Sequence, residues 1–496
     1  MSMVEAGRMF LTGRLHQVLS FFSAALLSLS LLGGCTTNPA TGKTSLVALS
    51  SAQDDARIGA EAHPQIIAAY GGVYDDPRIG DYVTRVTQRV VHGTSQPNQP
   101  YRVTVLNSPI VNAFALPGGY VYVTRGLLAL VNDEAELAGV LGHEIGHVIA
   151  RHSARRQTAA FGASLIGAVL GAVTGSSAVN QAAGLGGQGL IAGYSRDQEY
   201  EADMLGVRYL AAAGYDPYAQ SDFLKTMGEN SQIEAQIAGQ SERVQTDWLN
   251  DHPATLERVT AARREATTNK REGDQYRGRN VYLNAINGMV FGESADHGFI
   301  RGRNFIHTQA RFRFEAPSGF QIVNNANEVM VLGPDKTIAK FSMANKSTNI
   351  PIDVYLERVW AANVAISPVQ RFTIRGLSAA SATTRIGDYD ARLVAIAGPN
   401  GKAYRFLMGA QRGTYPRYVR DFDELVFSFR LISAKEAHAI KPLRIHIVTV
   451  MQGDSVASLA ADMSFSDHRA QRFRALNGLD SDTVLVPGEK VKIVRP

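Results

Sequence analysis

Residues 141–147 read Leu-Gly-His-Glu-Ile-Gly-His, placing His143 and His147 four residues apart with Glu144 between them. On a helix that spacing is one turn, so both imidazoles leave the same face about 6 Å apart along the axis. Neutral imidazole is a natural zinc ligand, and a catalytic zinc site takes three protein ligands and leaves the fourth position for water. Zinc lowers the pKa of such a water from about 15.7 toward roughly 7. Glu144 projects beside the metal, where it can take the proton of that water and deliver it to a leaving amine. The residues call for hydrolysis of a peptide bond with one Zn2+ per chain.

The third ligand is less direct. A metzincin would carry a glycine and a histidine three and six residues beyond His147, where this chain has Ala150 and Ser153. His152 lies five residues past His147 and, on a continuing helix, turns off the metal side, so its expected role is structural. A carboxylate further along must serve, and Ser195-Arg-Asp-Gln-Glu199-Tyr-Glu201-Ala-Asp203 offers several. Glu199 and Glu201 differ by two positions, so only one can face the metal, and spacing does not say which.

These residues need elements to hold them. Asp133 and Glu136 form a capping box that opens a long helix from Glu134 to about Gln157. Ser51-x-x-Asp54 opens another, ending near Pro64, and Asp76-Pro77 starts a third with Ile79, Tyr82, Val83, Val86 and Val90 at helical spacing. Tyr101–Leu106 and Tyr120–Thr124 read as strands flanking the turn Leu116-Pro117-Gly118-Gly119. Helical periodicity returns over Glu199–Ala213, Pro217–Met227 and Pro253–Glu265. The uncharged, glycine-rich stretch Gln157–Ser195 has no apolar run long enough to span a bilayer and reads as a flap or helical hairpin near the site.

Taken with Ser-Arg-x-x-Glu-x-x-Ala-Asp at 195–203 and Asn112-Ala-Phe-Ala-Leu-Pro-Gly-Gly119, the histidine motif resembles the forty-eighth family of metallopeptidases over residues 36–265. The resemblance implies Glu199 as third zinc ligand on a helix antiparallel to the first, with Asp203 orienting a ligand histidine. It also implies that His252, before Pro253, enters the open metal position and holds the enzyme latent, with Arg258 nearby as transition-state or structural support. The strand Tyr120–Thr124 resembles the family's edge strand, on which substrate lies extended.

Both ends of the chain add context. Arg8 and Arg14 precede an apolar run ending in Leu32-Gly33-Gly34-Cys35, which resembles a bacterial lipobox and implies lipidation at Cys35, the single cysteine. One cysteine excludes an intramolecular disulfide. Thr36 in place of aspartate implies sorting to the outer membrane, facing the periplasm. Residues 445–495, with Gly453-Asp454, Asn477-Gly478 and Pro487-Gly488, resemble a LysM domain, which implies peptidoglycan as partner. An excess of five basic residues over 496 gives no argument for nucleic acid.

The expected fold class is α+β. A lipoprotein signal (1–35) and a tether (36–50) precede a mainly helical, gluzincin-like zincin domain with a small sheet (51–266). An α+β domain without catalytic constellation (280–440) and a β-α-α-β LysM-like domain (445–495) follow. The expected activity is degradation of misfolded or misassembled envelope proteins. An envelope scaffold or chaperone with weak proteolysis, and a peptidoglycan hydrolase, are the rival readings.

Overall fold

The computed structural model describes residues 33–37, 44–48, 51–153, 155, 194–237, 252, 255–270, 276–324, 328–465 and 467–496. The apolar run before Gly33 and nearly all of the uncharged segment 157–195 lie outside them. Across the boundary between the expected signal and tether, β1 (Gly33–Thr37) and β2 (Thr44–Ala48) pair antiparallel, with Cys35 opposite Leu46. Among the described residues no helix is long and apolar enough to cross a membrane.

Ser51 caps α1 (Ala52–Ala69) in a reciprocal box with Asp54. The helix continues past Pro64, where the sequence pattern ended it; the following turn still closes, Tyr70 N–H bonding the Ile66 carbonyl. Asp76 caps α2 (Pro77–His92), whose buried Ile79, Tyr82, Val83, Val86 and Val90 form the expected stripe. A three-stranded sheet follows in the order β3 (Arg102–Leu106), β5 (Tyr120–Thr124), β4 (Ala113–Leu116). The strand expected at the edge, Tyr120–Thr124, is therefore central: parallel to β3 and antiparallel to β4. Gly118 and Gly119, with φ of +84° and +82°, fold β4 back onto it. A Cβ at Gly119 would stand 2.5 Å from the Pro100 carbonyl oxygen, so this turn is closed to other residues. The outer side of β3 is covered where Tyr74 and Asn107 N–H groups bond Val105 and Gly72. Among the described residues no strand pairs with the outer side of β4, which lies beside the motif.

After α3 (Arg125–Leu130) comes the motif helix α4 (Glu134–Ile149), capped by Asp133. The helix expected to run on to about Gln157 is interrupted at Arg151, which adopts φ +52°; residues 152, 153 and 155 are helical again, and 154, 156 and 157 lie outside the described residues. Helices α5 (Arg196–Ala212), α6 (Ala219–Ile237) and α7 (Leu256–Asn269) complete the bundle around one core. That core also takes Tyr282, Leu283 and Ile286 of α8 (Arg279–Ile286), so residue 280 belongs with the motif helix rather than with the next domain. The short strand β6 (Val290–Phe291) then pairs with β7 (Leu443–Thr449), itself paired with β8 (Lys490–Arg495).

Between β6 and β7 lies a separate α+β unit. Its seven antiparallel strands run from Gln321 to Gln411 and carry the helix Tyr415–Ser428 over an aromatic core that includes Phe312, Phe341, Phe406 and Phe429. The C-terminal unit, strand-helix-helix-strand, docks on α3. Buried Lys492 donates to the carbonyls of Ala129, Leu130 and Val131 at 2.8, 3.3 and 2.7 Å. Burial pushes the lysine's pKa down, yet three carbonyl acceptors require three N–H bonds, so this seat holds the ammonium form. A cation is also favoured at a helix C-terminus. Lys492→Met should therefore lower stability by about 2–4 kcal/mol, the loss of charge-assisted hydrogen bonds; urea unfolding of the full chain checks it.

Candidate metal centre

Two helices carry most of the site, and glycine sets their separation. A Cβ at Gly142 would lie 3.3 Å from the backbone of Gly206, one at Gly206 would lie 3.1 Å from His143 N, and one at Gly146 would lie 3.3 Å from the Ala202 carbonyl. Only because these side chains are absent do α4 and α5 meet backbone to backbone. Glu199 and Asp203, one turn apart on α5, are thereby brought against His143 and His147.

His143 Nε2 and His147 Nε2 are 3.0 Å apart. Glu199 Oε2 lies 3.5 Å from the first and Oε1 3.4 Å from the second. His252 Nδ1 completes the group, 3.2 Å from His143 Nε2 and 3.0 Å from Glu199 Oε1. Atoms bound about 2.0–2.1 Å from one zinc ion at tetrahedral angles lie about 3.3–3.4 Å from each other. These separations are those of the edges of such a tetrahedron, with His252 at the fourth corner. Its other nitrogen faces Glu144 Oε1 at 3.7 Å.

Charge supports the same fit. Three buried carboxylates, Glu144, Glu199 and Asp203, face one buried guanidinium, Arg258. One divalent cation cancels the remaining two negative charges. Burial opposes charge on His143, yet hydrogen bonds to Asp203 and Glu199 raise its pKa to about 9. Burial and the charge on His143 push His147 well below its ordinary range. Despite burial, His252 and His143 hold Glu199 far below the usual carboxylate range, and Arg258 lowers Asp203. The pocket is built around a positive centre.

Each donor is held from behind. Asp203 Oδ1 stands 2.9 Å from His143 Nδ1 and accepts from Gln220 Nε2 at 3.1 Å. Arg258 spends all three guanidinium nitrogens on two carboxylates, Nε and one terminal nitrogen on Asp203 at 2.7 and 2.8 Å, the other on Glu199 at 2.9 Å. His152, turned back by Arg151, brings its Nδ1 to 2.8 Å from His147 Nδ1. Glu201 faces His152 and Arg155, away from the cluster, so the alternation along α5 selects Glu199. Tyr194 stacks on His147 with centroids 3.9 Å apart. Sequence reasoning missed Gln220 and Tyr194, since neither sits in a ligand-like spacing.

Two histidines a turn apart on one helix, a carboxylate from the next and a glutamate beside them define a zincin-type metallopeptidase domain. Residues 77–266 match the model of peptidase family M48 and residues 448–494 that of the LysM domain; the chain carries both. The beta-barrel assembly-enhancing protease of Yersinia pestis is 30% identical over 205 residues, 39% of this chain and 40% of that protein. The mitochondrial metalloendopeptidase OMA1 of Arabidopsis thaliana is 36% identical over 158 residues, 32% and 30% respectively. That of Danio rerio is 32% identical over 241 residues, 45% and 48%. The chain thus spans less than half the length of each of these relatives.

Removing a group that orients a ligand histidine costs about 10–100-fold in metal affinity. Asp203→Ala should weaken zinc binding by that factor in competition with a chromophoric chelator. Unchanged affinity would show that Asp203 does not orient His143.

Proposed function

We propose that this chain is a zinc-dependent endopeptidase that removes misfolded or misassembled proteins of the bacterial envelope and is held latent by His252. The observation that carries the reading is the four-cornered cluster of His143, His147, Glu199 and His252 with Glu144 alongside. Nε2 of His143, Nε2 of His147 and the Glu199 carboxylate would hold the zinc ion, which supplies Lewis acidity at the scissile carbonyl. Glu144 takes the proton of the attacking water and passes it to the leaving amine. Asp203 keeps the imidazole of His143 in register through Nδ1, and Arg258 fixes both α5 carboxylates.

His252 stands where the water belongs and covers the face of the base, so the arrangement is a closed one. Substrate is received on β4, the open edge, by backbone hydrogen bonds that favour extended, unfolded segments. The substrate class draws on the Yersinia relative, whose name refers to β-barrel assembly. The LysM domain supports a peptidoglycan partner. The lipobox-like Leu32-Gly-Gly-Cys35 supports a lipid anchor at Cys35 and a place on the periplasmic face of the outer membrane.

Glu144→Gln should cut the rate of casein cleavage by about 10²–10⁴-fold, the contribution of a general base; a variant as active as the parent defeats the peptidase assignment. His252→Ala should raise kcat/KM several-fold in the same assay. If it leaves the rate unchanged, the latch is wrong while the peptidase stands.

A further inference from the structure

The unit between β6 and β7 takes no part in the chemistry above, and its seven-stranded sheet ends on a strand with one side unmatched. Gln370–Ile374 pairs with Leu377–Ile386, and among the described residues no strand pairs with its other side. The opposite end of the sheet is better covered: there the side-chain amide of Asn324 donates to the carbonyls of His297 and Gly298 at 3.1 and 3.4 Å.

Which backbone groups face outward follows from the turn. Ile374 and Leu377 are joined by Arg375 and Gly376, with φ of +48° and +83°, the two-residue hairpin in which the flanking pair is hydrogen-bonded. The register runs without a bulge to Gln370 opposite Ser381, so bonded and unbonded pairs alternate along it. The N–H and C=O groups of Arg371 and Thr373 therefore point away from the sheet. Edge strands are commonly guarded by proline, lysine or a bulge. This one has none of them between Gln370 and Ile374, and the side chain of Arg371 is drawn aside onto Asp353.

The two faces beside the edge differ. Phe372 and Ile374 belong to the core under the helix Tyr415–Ser428, where Phe427 is 48% exposed and its ring meets that of Phe372 edge to face at 6.0 Å. Arg371 and Thr373 turn to the other side. A strand laid along this edge would set alternate side chains on the phenylalanine ledge and the rest beside the arginine. We propose that this edge is a second binding site, outside the catalytic cleft, for extended segments of unfolded protein that alternate apolar with acidic or neutral polar residues. A second copy of the chain suits it less: it would bring another Arg371 and Arg375 to a seam five residues long, like charge against like. On the peptidase reading, the site holds one part of an unfolded client while another part lies on β4, which raises the local concentration of cleavable chain.

The experiment uses the full chain. In the Glu144→Gln form, which leaves the probe uncut, a labelled peptide alternating valine with glutamate or threonine should bind saturably by fluorescence anisotropy. Thr373→Pro removes one outward N–H and leaves the ladder to Leu377–Ile386 intact; it should weaken binding at least about fivefold, the scale of a lost hydrogen bond whose acceptor stays unpaired. Phe427→Ser removes the ledge, should weaken binding likewise, and covers the case in which the first variant fails to fold. Binding that neither variant weakens overturns the site. So does self-association in analytical ultracentrifugation that Thr373→Pro abolishes while no peptide binds, which would assign the edge to a second copy. In the His252→Ala background, both substitutions should raise KM for casein several-fold with kcat unchanged and leave cleavage of a short peptide untouched. A KM for casein that neither variant moves overturns the role in holding clients. Peptide binding without any Glu144-dependent cleavage leaves the site standing and removes the peptidase reading instead.

Discussion

Where Gly142 faces Gly206, helices α4 and α5 touch through their backbones, and the metal cluster exists only at that separation. A side chain on either residue would push the helices apart by a few tenths of an ångström or more. Glu199 would then stand off from His143 and His147, and Asp203 from the His143 Nδ1 that it faces, by the same amount, a large shift for contacts of 2.9 to 3.5 Å. The contact is rigid because the rest of the core is wrapped around it: α4 is buried on nearly every side. The helix that carries the chemistry is therefore also the central strut of the domain.

Packing of this kind brings charges into a dry interior, and the centre is arranged so that none stands alone. Arg258 bridges Glu199 and Asp203, Glu201 is matched by Arg155 and His152, and Asp203 is shared between His143, Arg258 and Gln220. Breaking one member of such a network leaves an uncompensated charge, which costs far more than the pair contributes. The same density of pairing reaches His252, whose two nitrogens meet Glu199 on one side and Glu144 on the other.

Much of this was legible in the residues. The turn-spaced histidines, the capping box at Ser51 and the apolar stripe of α2 are local patterns within a turn or two of chain, and they appear as read; at Asp133 only half of the expected box forms, since the Glu136 carboxylate accepts from Asn132 N–H instead. What failed depended on distant partners. Whether Tyr120–Thr124 is an edge or a centre is decided by β3 and β4 on its two sides. The choice of Glu199 over Glu201 needs the orientation of α5 against α4, which the family resemblance carried and spacing did not. Gly142, Gly146 and Gly206 were visible, but their meaning lies in an encounter across some sixty residues of chain. Arg151's left-handed turn, which ends α4 and makes His152 a partner of His147, has no glycine to announce it.

Phe291 leaves the bundle directly opposite Leu443, where the chain returns, because β6 and β7 are ladder partners. The unit between them is consequently an insertion: it is spliced into one rung of a sheet, with its entrance and exit about 5 Å apart. Order along the sequence conceals order in space. The unit that is middle in the chain is peripheral in the molecule, while the first and last parts are neighbours joined by Lys492. The insertion also leans on the bundle beyond that rung, where Asn107 donates to Asp296 and Arg125 to the Gly292 carbonyl, so a force or partner acting on the unit is felt by the bundle through these side chains as well as through the paired strands.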